Sequence, residues 1–154
     1  MSLPTVTISE VGPRDGLQNT RTFLPTAAKK AWITAEAAAG VREIEVCSFV
    51  PPKLIPQFAD AEEVARHALT IPGLAVAALV PNLKGAERAL ACGVQKLSFT
   101  LSVSREHSLS NVRKTPDEQL AELRRIVAHR DAVAPAAQIS GGLSTVWGCT
   151  LAGA

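Results

Sequence analysis

Tyrosine is missing from the 154 residues, and four Phe with two Trp bring the aromatic share to only 4%. So few aromatics weigh against an antiparallel sandwich, whose half-buried strands favour them. A surplus of one charge is missing too: 16 Lys and Arg stand against 14 Asp and Glu. The basic residues are scattered, which leaves no stripe for a nucleic acid. No apolar run approaches the roughly 18 to 20 residues that cross a bilayer, and Met1–Thr7 lacks the basic and apolar regions of a secretory leader. Cysteine is sparse. Cys47, Cys92 and Cys149 form no CxxC and have no His at metal-binding intervals, which speaks against a disulfide scaffold or a zinc module. These absences lead us to expect a soluble, reduced, cytoplasmic protein with neither nucleic acid nor membrane as partner.

What is present is Ala, Val and Leu in quantity, 47% hydrophobic residues overall, enough for a buried core. Such a composition suits helices packed on a buried parallel sheet. No linker, low-complexity tract or charge block interrupts residues 1–154, so a single domain is expected.

Strand and helix signals alternate along the chain. Val6 to Glu10 is short, rich in β-branched residues and followed by Gly12 and Pro13, which predicts a strand running into a loop. Thr26 to Ala39 is Ala-rich with Ile33 inside and Gly40 where a C-terminal cap belongs, which predicts a helix. Strand Glu43–Cys47, helix Ala61–Leu69 capped by Asp60, strand Ala75–Leu79, helix Leu83–Ala91 and strand Lys96–Thr100 follow. A polar loop is expected over Ser102–Lys114. Thr115-Pro116-Asp117-Glu118 then forms a capping box that opens a helix to about Arg130, and Gln138–Ser144 reads as a fifth strand. At roughly one unit per 30 to 35 residues, this cycle is that of a parallel α/β sheet with right-handed crossovers. Two architectures fit: an open five-stranded sheet, or part of an eight-stranded barrel of about 250 residues.

Chemistry concentrates after the first strand, in Glu10-Val11-Gly12-Pro13-Arg14-Asp15-Gly16-Leu17-Gln18-Asn19. The C-terminal ends of parallel strands are where such folds bind ligands. Asp15 offers a hard oxygen to Mg²⁺ or Mn²⁺, and Arg14 a fork of donors to a carboxylate, a phosphate or a developing enolate oxygen. A surface Arg–Asp turn is the plainer alternative. Glu45 falls among Ile44, Val46 and Cys47, so a carboxylate sits inside a strand that should be covered on both faces, which is costly unless it is paired. Arg14 is the natural partner if the strands are adjacent; otherwise Glu45 points outward at a sheet margin.

Taken together, Val11–Asn19, Ile44-Glu45 with Ser48-Phe49-Val50, Pro52-Lys53, Pro56-Gln57, Val80-Pro81-Asn82-Leu83-Lys84-Gly85, Gly142-Leu143-Ser144 and Gly148-Cys149 resemble hydroxymethylglutaryl-CoA lyases in order and spacing. Leu17 is similar to the lyase branch, where related condensing synthases carry Glu. The resemblance implies the first five of eight strands of a (β/α)8 barrel, that is, the N-terminal part of a catalytic domain. It implies a carbon–carbon lyase cleaving 3-hydroxy-3-methylglutaryl-CoA to acetyl-CoA and acetoacetate, as in leucine degradation and ketone-body formation. Arg14 and Glu45 would be catalytic, Asp15 would bind a divalent cation (Mg²⁺ or Mn²⁺), and Arg14, Gln18, Ser48, His107 and Asn111 would meet the acyl-CoA substrate. For His107 a solvated loop is the alternative; His67 and His129 read as surface residues, and Cys149 as structural.

Two departures qualify the resemblance. After Ser104 the family pattern continues with an acidic residue, whereas this chain has Arg105, which leaves open citramalyl-CoA or another 3-alkylglutaryl-CoA as substrate. No His-x-His occurs, although the resembled enzymes take two metal ligands from one. With Asp15 as single ligand, this chain alone is expected to have little or no lyase activity. A homo-oligomer or a complementing C-terminal half is the expected partner, because a barrel cut after its fifth strand leaves two open edges. A non-catalytic CoA-binding module is the alternative function.

Overall fold

The computed structural model describes residues 6–153. Residues 1–5, part of the stretch read for a leader, lie outside the described residues. Five parallel strands, β1 (Ser9–Glu10), β2 (Glu43–Ser48), β3 (Ala75–Leu79), β4 (Lys96–Ser102) and β5 (Gln138–Ser144), pair in chain order. Helices α1 (Thr26–Ala38), α2 (Ala61–Ala68), α3 (Leu83–Ala91), α4 (Arg105–Val112) and α5 (Pro116–Val133) fill the crossovers. An open doubly wound sheet reverses its strand order at a switch point. This sheet never reverses, so right-handed crossovers stack their helices on one face and the sheet curls into a half-barrel.

The two faces differ as that curl requires. Ile44, Val46, Val76, Ala78, Leu97 and Phe99 are buried together with Ile33 of α1, Val64 and Ala65 of α2, Ala86 and Ala89 of α3 and Ile126 of α5. Strand residues alternate in direction, so the concave face receives Glu43, Glu45, Lys96, Ser98 and Thr100. Lys96 donates to Glu43 Oε1 at 2.8 Å across the intervening β3, where Ala75 and Ala77 offer no bulk to block it. Burial pushes the Glu43 carboxyl up, but hydrogen bonds from Lys96 and Ser9 and the Lys96 charge bring it below its ordinary value. Its stabilising contribution therefore holds above the ordinary carboxylate range and is lost on acidification below it.

A register shift between Glu45 and Cys47 places a bulge in β2. It lets Cys47 face α2, where its thiol contacts the Ala61 carbonyl at 3.6 Å, while Glu45 stays on the concave side. Gly40, just past α1, has φ +103°, a left-handed geometry that suits glycine at a helix C-terminus.

Several expectations are corrected. The first strand is Ser9–Glu10 rather than Val6–Glu10: Val6 and Ile8 are exposed, and pairing with β2 begins only at Ser9↔Glu43. Asp60 precedes α2 but its side chain makes no cap hydrogen bond, because its oxygens accept from Thr26 Oγ1 and Lys29 Nζ, both at 2.7 Å. The polar stretch read as a loop over Ser102–Lys114 contains the two-turn helix α4, whose Ser104 hydroxyl accepts from the His107 amide. Helix α5 begins as read, with Glu118 N donating to Thr115 Oγ1 at 3.2 Å and Thr115 N to Glu118 Oε2 at 2.7 Å. Thr115→Ala is expected to lower the unfolding free energy by about 1 kcal/mol, read as a lower urea midpoint at unchanged slope.

Candidate active site

The chain leaves β1 through one wide helical turn over Gly12–Gly16, with the Val11 carbonyl accepting from the amides of Arg14 at 3.0 Å and Asp15 at 2.7 Å. Two features shape this turn. Pro13 is buried inside it, and Glu10 Oε1 accepts from the Gly12 amide at 2.6 Å. Glycine suits position 12, since a Cβ there would lie 2.8 Å from Glu10 Oε1 and 3.0 Å from the Trp32 ring, and the Glu10 carboxylate would have to move off the Gly12 amide. Glu10 was not singled out in the sequence, where it reads as the end of a strand; its work is to hold the turn that presents Arg14 and Asp15.

Arg14 is locked on two sides. Its Nε donates to Glu45 Oε1, and its Nη1 donates to Asp15 Oδ1 at 2.6 Å. Glu45 is only 6% exposed, and the Arg14 side chain 16%. The buried carboxylate thus has its counterion, and the guanidinium has its orientation. Nη2 has no protein partner among the described residues and remains available as a donor.

This fixed cation borders a cavity of about 760 Å³ at the C-terminal ends of the strands. Asp15 and Gln18 line it on the β1 side, Leu54, Ile55, Leu79 and Thr100 supply apolar and hydroxyl surface, and Asn111–Lys114, the end of α4 and the two residues after it, form another wall. That size and mixture suit a large ligand with an apolar stem and a few polar anchor points. The far wall is braced by α5. Gln119 Oε1 accepts from the Ser102 amide at 3.0 Å, and Glu122 Oε1 accepts from the Leu83 amide at 2.7 Å. Burial pushes the Glu122 carboxyl up, but the Leu83 amide and Lys114 outweigh it and hold it below its ordinary value. Asn82, inside the Pro81–Gly85 motif, caps α3 by accepting from the Gly85 amide at 2.9 Å.

Of the residues read from sequence, Arg14, Asp15, Gln18 and Asn111 border this cavity. Ser48 is fully buried, and its hydroxyl lacks a partner among the described residues. His107 lies on α4 rather than in a loop; its Nδ1 is 2.8 Å from Ser102 Oγ, which receives Ser144 Oγ at 3.1 Å. It is tied to the ends of β4 and β5 and is not a lining residue. Cys149 closes a tight turn with Gly153. A hydrogen bond with Ser104 lowers its thiol pKa, against burial, with help from the amides of Leu151 and Ala152.

Asp15, with its carboxylate more than half exposed, fits a divalent cation as one hard-oxygen ligand. Among the described residues no group of three His, Cys, Asp or Glu side chains converges to hold a metal, so these residues do not complete such a site. None of the described helices is long and apolar enough to cross a membrane.

A family model described as HMGL-like matches residues 5–145. The chain is 41% identical over 144 residues to a hydroxymethylglutaryl-CoA lyase of Bacillus subtilis, covering 94% of this chain and 48% of that protein. It is 36% identical to the hydroxymethylglutaryl-CoA lyase of Pseudomonas mevalonii over 152 residues, 99% of this chain and 50% of the other. A solved HMG-CoA lyase of Acinetobacter baumannii, in complex with coenzyme A and 3-methylmalate, superposes with a TM-score of 0.87 at 37% identity, over 96% of this chain and 47% of that one. The chain therefore spans about half the length of the relatives it matches.

Proposed function

The chain belongs to the HMGL-like family, and from that premise we propose that its cavity takes a 3-hydroxyacyl thioester of coenzyme A and forms the Arg-Asp-Glu side of a lyase site. The observation that carries this reading is Arg14, held between Glu45 and Asp15 at the edge of a cavity large enough for such a ligand.

The reaction is the cleavage of 3-hydroxy-3-methylglutaryl-CoA to acetyl-CoA and acetoacetate. The tertiary hydroxyl loses its proton, the bond between C2 and C3 breaks, and its electron pair moves onto the thioester as an enolate, which is then protonated to acetyl-CoA. Arg14 neutralises the charge growing on the thioester oxygen through its unpaired Nη2, while Glu45 prevents it from turning away. A donor set in advance at such a position is typically worth about 10² to 10³ in rate. Gln18 and Asn111 serve as substrate contacts. A divalent cation, Mg²⁺ or Mn²⁺, makes a hydroxyl it holds easier to deprotonate when bound; Asp15 would be its ligand here, and the rest of the shell would come from beyond the described residues. Closure of the half-barrel by further polypeptide, a cytoplasmic location and a place in leucine breakdown belong to the same proposal.

The test is calorimetric binding of 3-hydroxy-3-methylglutaryl-CoA to the chain, beside Arg14→Met. We expect saturable binding by the unaltered chain, weakened on the order of tenfold in the variant through the lost charge-assisted hydrogen bond. Absence of saturable binding, or equal binding by the two proteins, overturns the reading. A cleavage assay on the same samples is expected to show little or no turnover by this chain alone.

A further inference from the structure

We infer that Arg113 is the phosphate anchor of this cavity, taking the nucleotide end of a coenzyme A thioester whose acyl end lies at Arg14. The inference rests on the reading of the cavity given above. Arg113 lines the same cavity as Arg14, on the wall built after β4, so the two cations bound one space from different sides. Leu54, Ile55 and Leu79 line the same cavity and supply apolar surface suited to the uncharged stem of such a ligand.

Three observations single out Arg113 among the basic residues of that wall. Its guanidinium makes no hydrogen bond or ion pair among the described residues, whereas its neighbour Lys114 is engaged by Glu122 at 3.3 Å. Its backbone lies in the left-handed region, φ +57° and ψ +31°, where it ends α4 with its amide on the Leu109 carbonyl at 3.1 Å. Glycine fills that conformation without strain, and any larger side chain is disfavoured there. An arginine at this cap is therefore worse for the helix than glycine, and the structure shows no internal contact that recovers the difference. Finally, the position is rigidly framed. The Ser108 hydroxyl donates to the Lys114 carbonyl on one side, and the Thr115–Glu118 capping box fixes the start of α5 on the other. A permanently charged planar fork, free of internal partners and held at a cavity wall, is suited to bidentate recognition of phosphate oxygens.

The test exploits the conflict between cap and ligand. Coenzyme A, dephospho-coenzyme A and pantetheine are titrated into the unaltered chain, Arg113→Gly and Arg113→Gln, and thermal midpoints are recorded. We expect Arg113→Gly to keep or raise the midpoint while weakening coenzyme A binding about tenfold or more, with pantetheine unaffected; Arg113→Gln should weaken coenzyme A alike. Loss that persists with dephospho-coenzyme A assigns Arg113 to the diphosphate, and loss that vanishes assigns it to the 3′-phosphate. Unchanged coenzyme A binding in both variants, or an equal loss for pantetheine, overturns the anchor and leaves the cavity reading intact. Failure of the unaltered chain to bind coenzyme A overturns that reading and the anchor with it.

Discussion

Arg14→Met is expected to cost about 3 kcal/mol of folding stability at neutral pH, because removing one partner of a buried pair strands the other charge. The stranded group is Glu45, whose side chain is 7% exposed. Its oxygen facing Arg14 has no second cation at hand, since Lys96 is committed to Glu43. Glu45→Leu removes the opposite partner and should cost less, because Arg14 is more exposed and retains Asp15 at 2.6 Å. The double variant should recover most of the loss, giving a coupling energy of about 2 to 3 kcal/mol in a double-mutant cycle. Urea unfolding of the four proteins at neutral pH measures this. Additive losses would show that the pair does not act as a buried unit and would remove the basis for a fixed guanidinium.

That pair was legible in the sequence because a carboxylate within an apolar strand has few ways to be satisfied, and Arg14 sits where the neighbouring strand ends. Local signals were equally sufficient for α3 and β5, whose ends fall where the pattern puts them, and for the capping box of α5. Helix α4 was not legible. Its apolar residues Leu109 and Val112 are exposed, so no buried stripe imposes a helical period, and its start depends on the single hydroxyl of Ser104. Missing that helix also hid the left-handed cap at Arg113 and the wall it forms. The winding of the sheet was illegible for another reason. Alternating strand and helix signals are the same for an open sheet and for a barrel arc, and only the order of pairing, a non-local property, separates them.

Lys29 is the clearest case of a residue whose importance no local pattern announces, and its replacement carries the second large expected effect. It lies in α1 among Ala and Lys residues, yet only 3% of it is exposed. Its ammonium donates to Asp60 Oδ1 at 2.7 Å and to the Gln57 carbonyl at 2.5 Å, and it sits 4.6 Å from the centre of the Phe23 ring. Its partners stand about thirty residues away, so no pattern within the helix marks it as buried. Lys29→Ala leaves Asp60 with its Thr26 hydrogen bond but without its counterion, strands the Gln57 carbonyl and opens a void, so a loss of about 4 kcal/mol is expected. Lys29→Met refills most of the volume but not the charge and should still lose about 3 kcal/mol. The consequence reaches the cavity. Gln57, fixed by Lys29 through its carbonyl and bonded by its side chain to the Thr20 carbonyl, ends the segment whose Val50, Pro51, Leu54 and Ile55 form one wall. Loosening that segment should expose residues 50–58 to limited proteolysis and weaken coenzyme A thioester binding in Lys29→Met at temperatures where the protein remains folded. A Lys29→Ala midpoint within about 1 kcal/mol of the unaltered chain, or no added cleavage in this segment, would mean that α1 does not clamp the wall and that the cavity keeps its shape by other means.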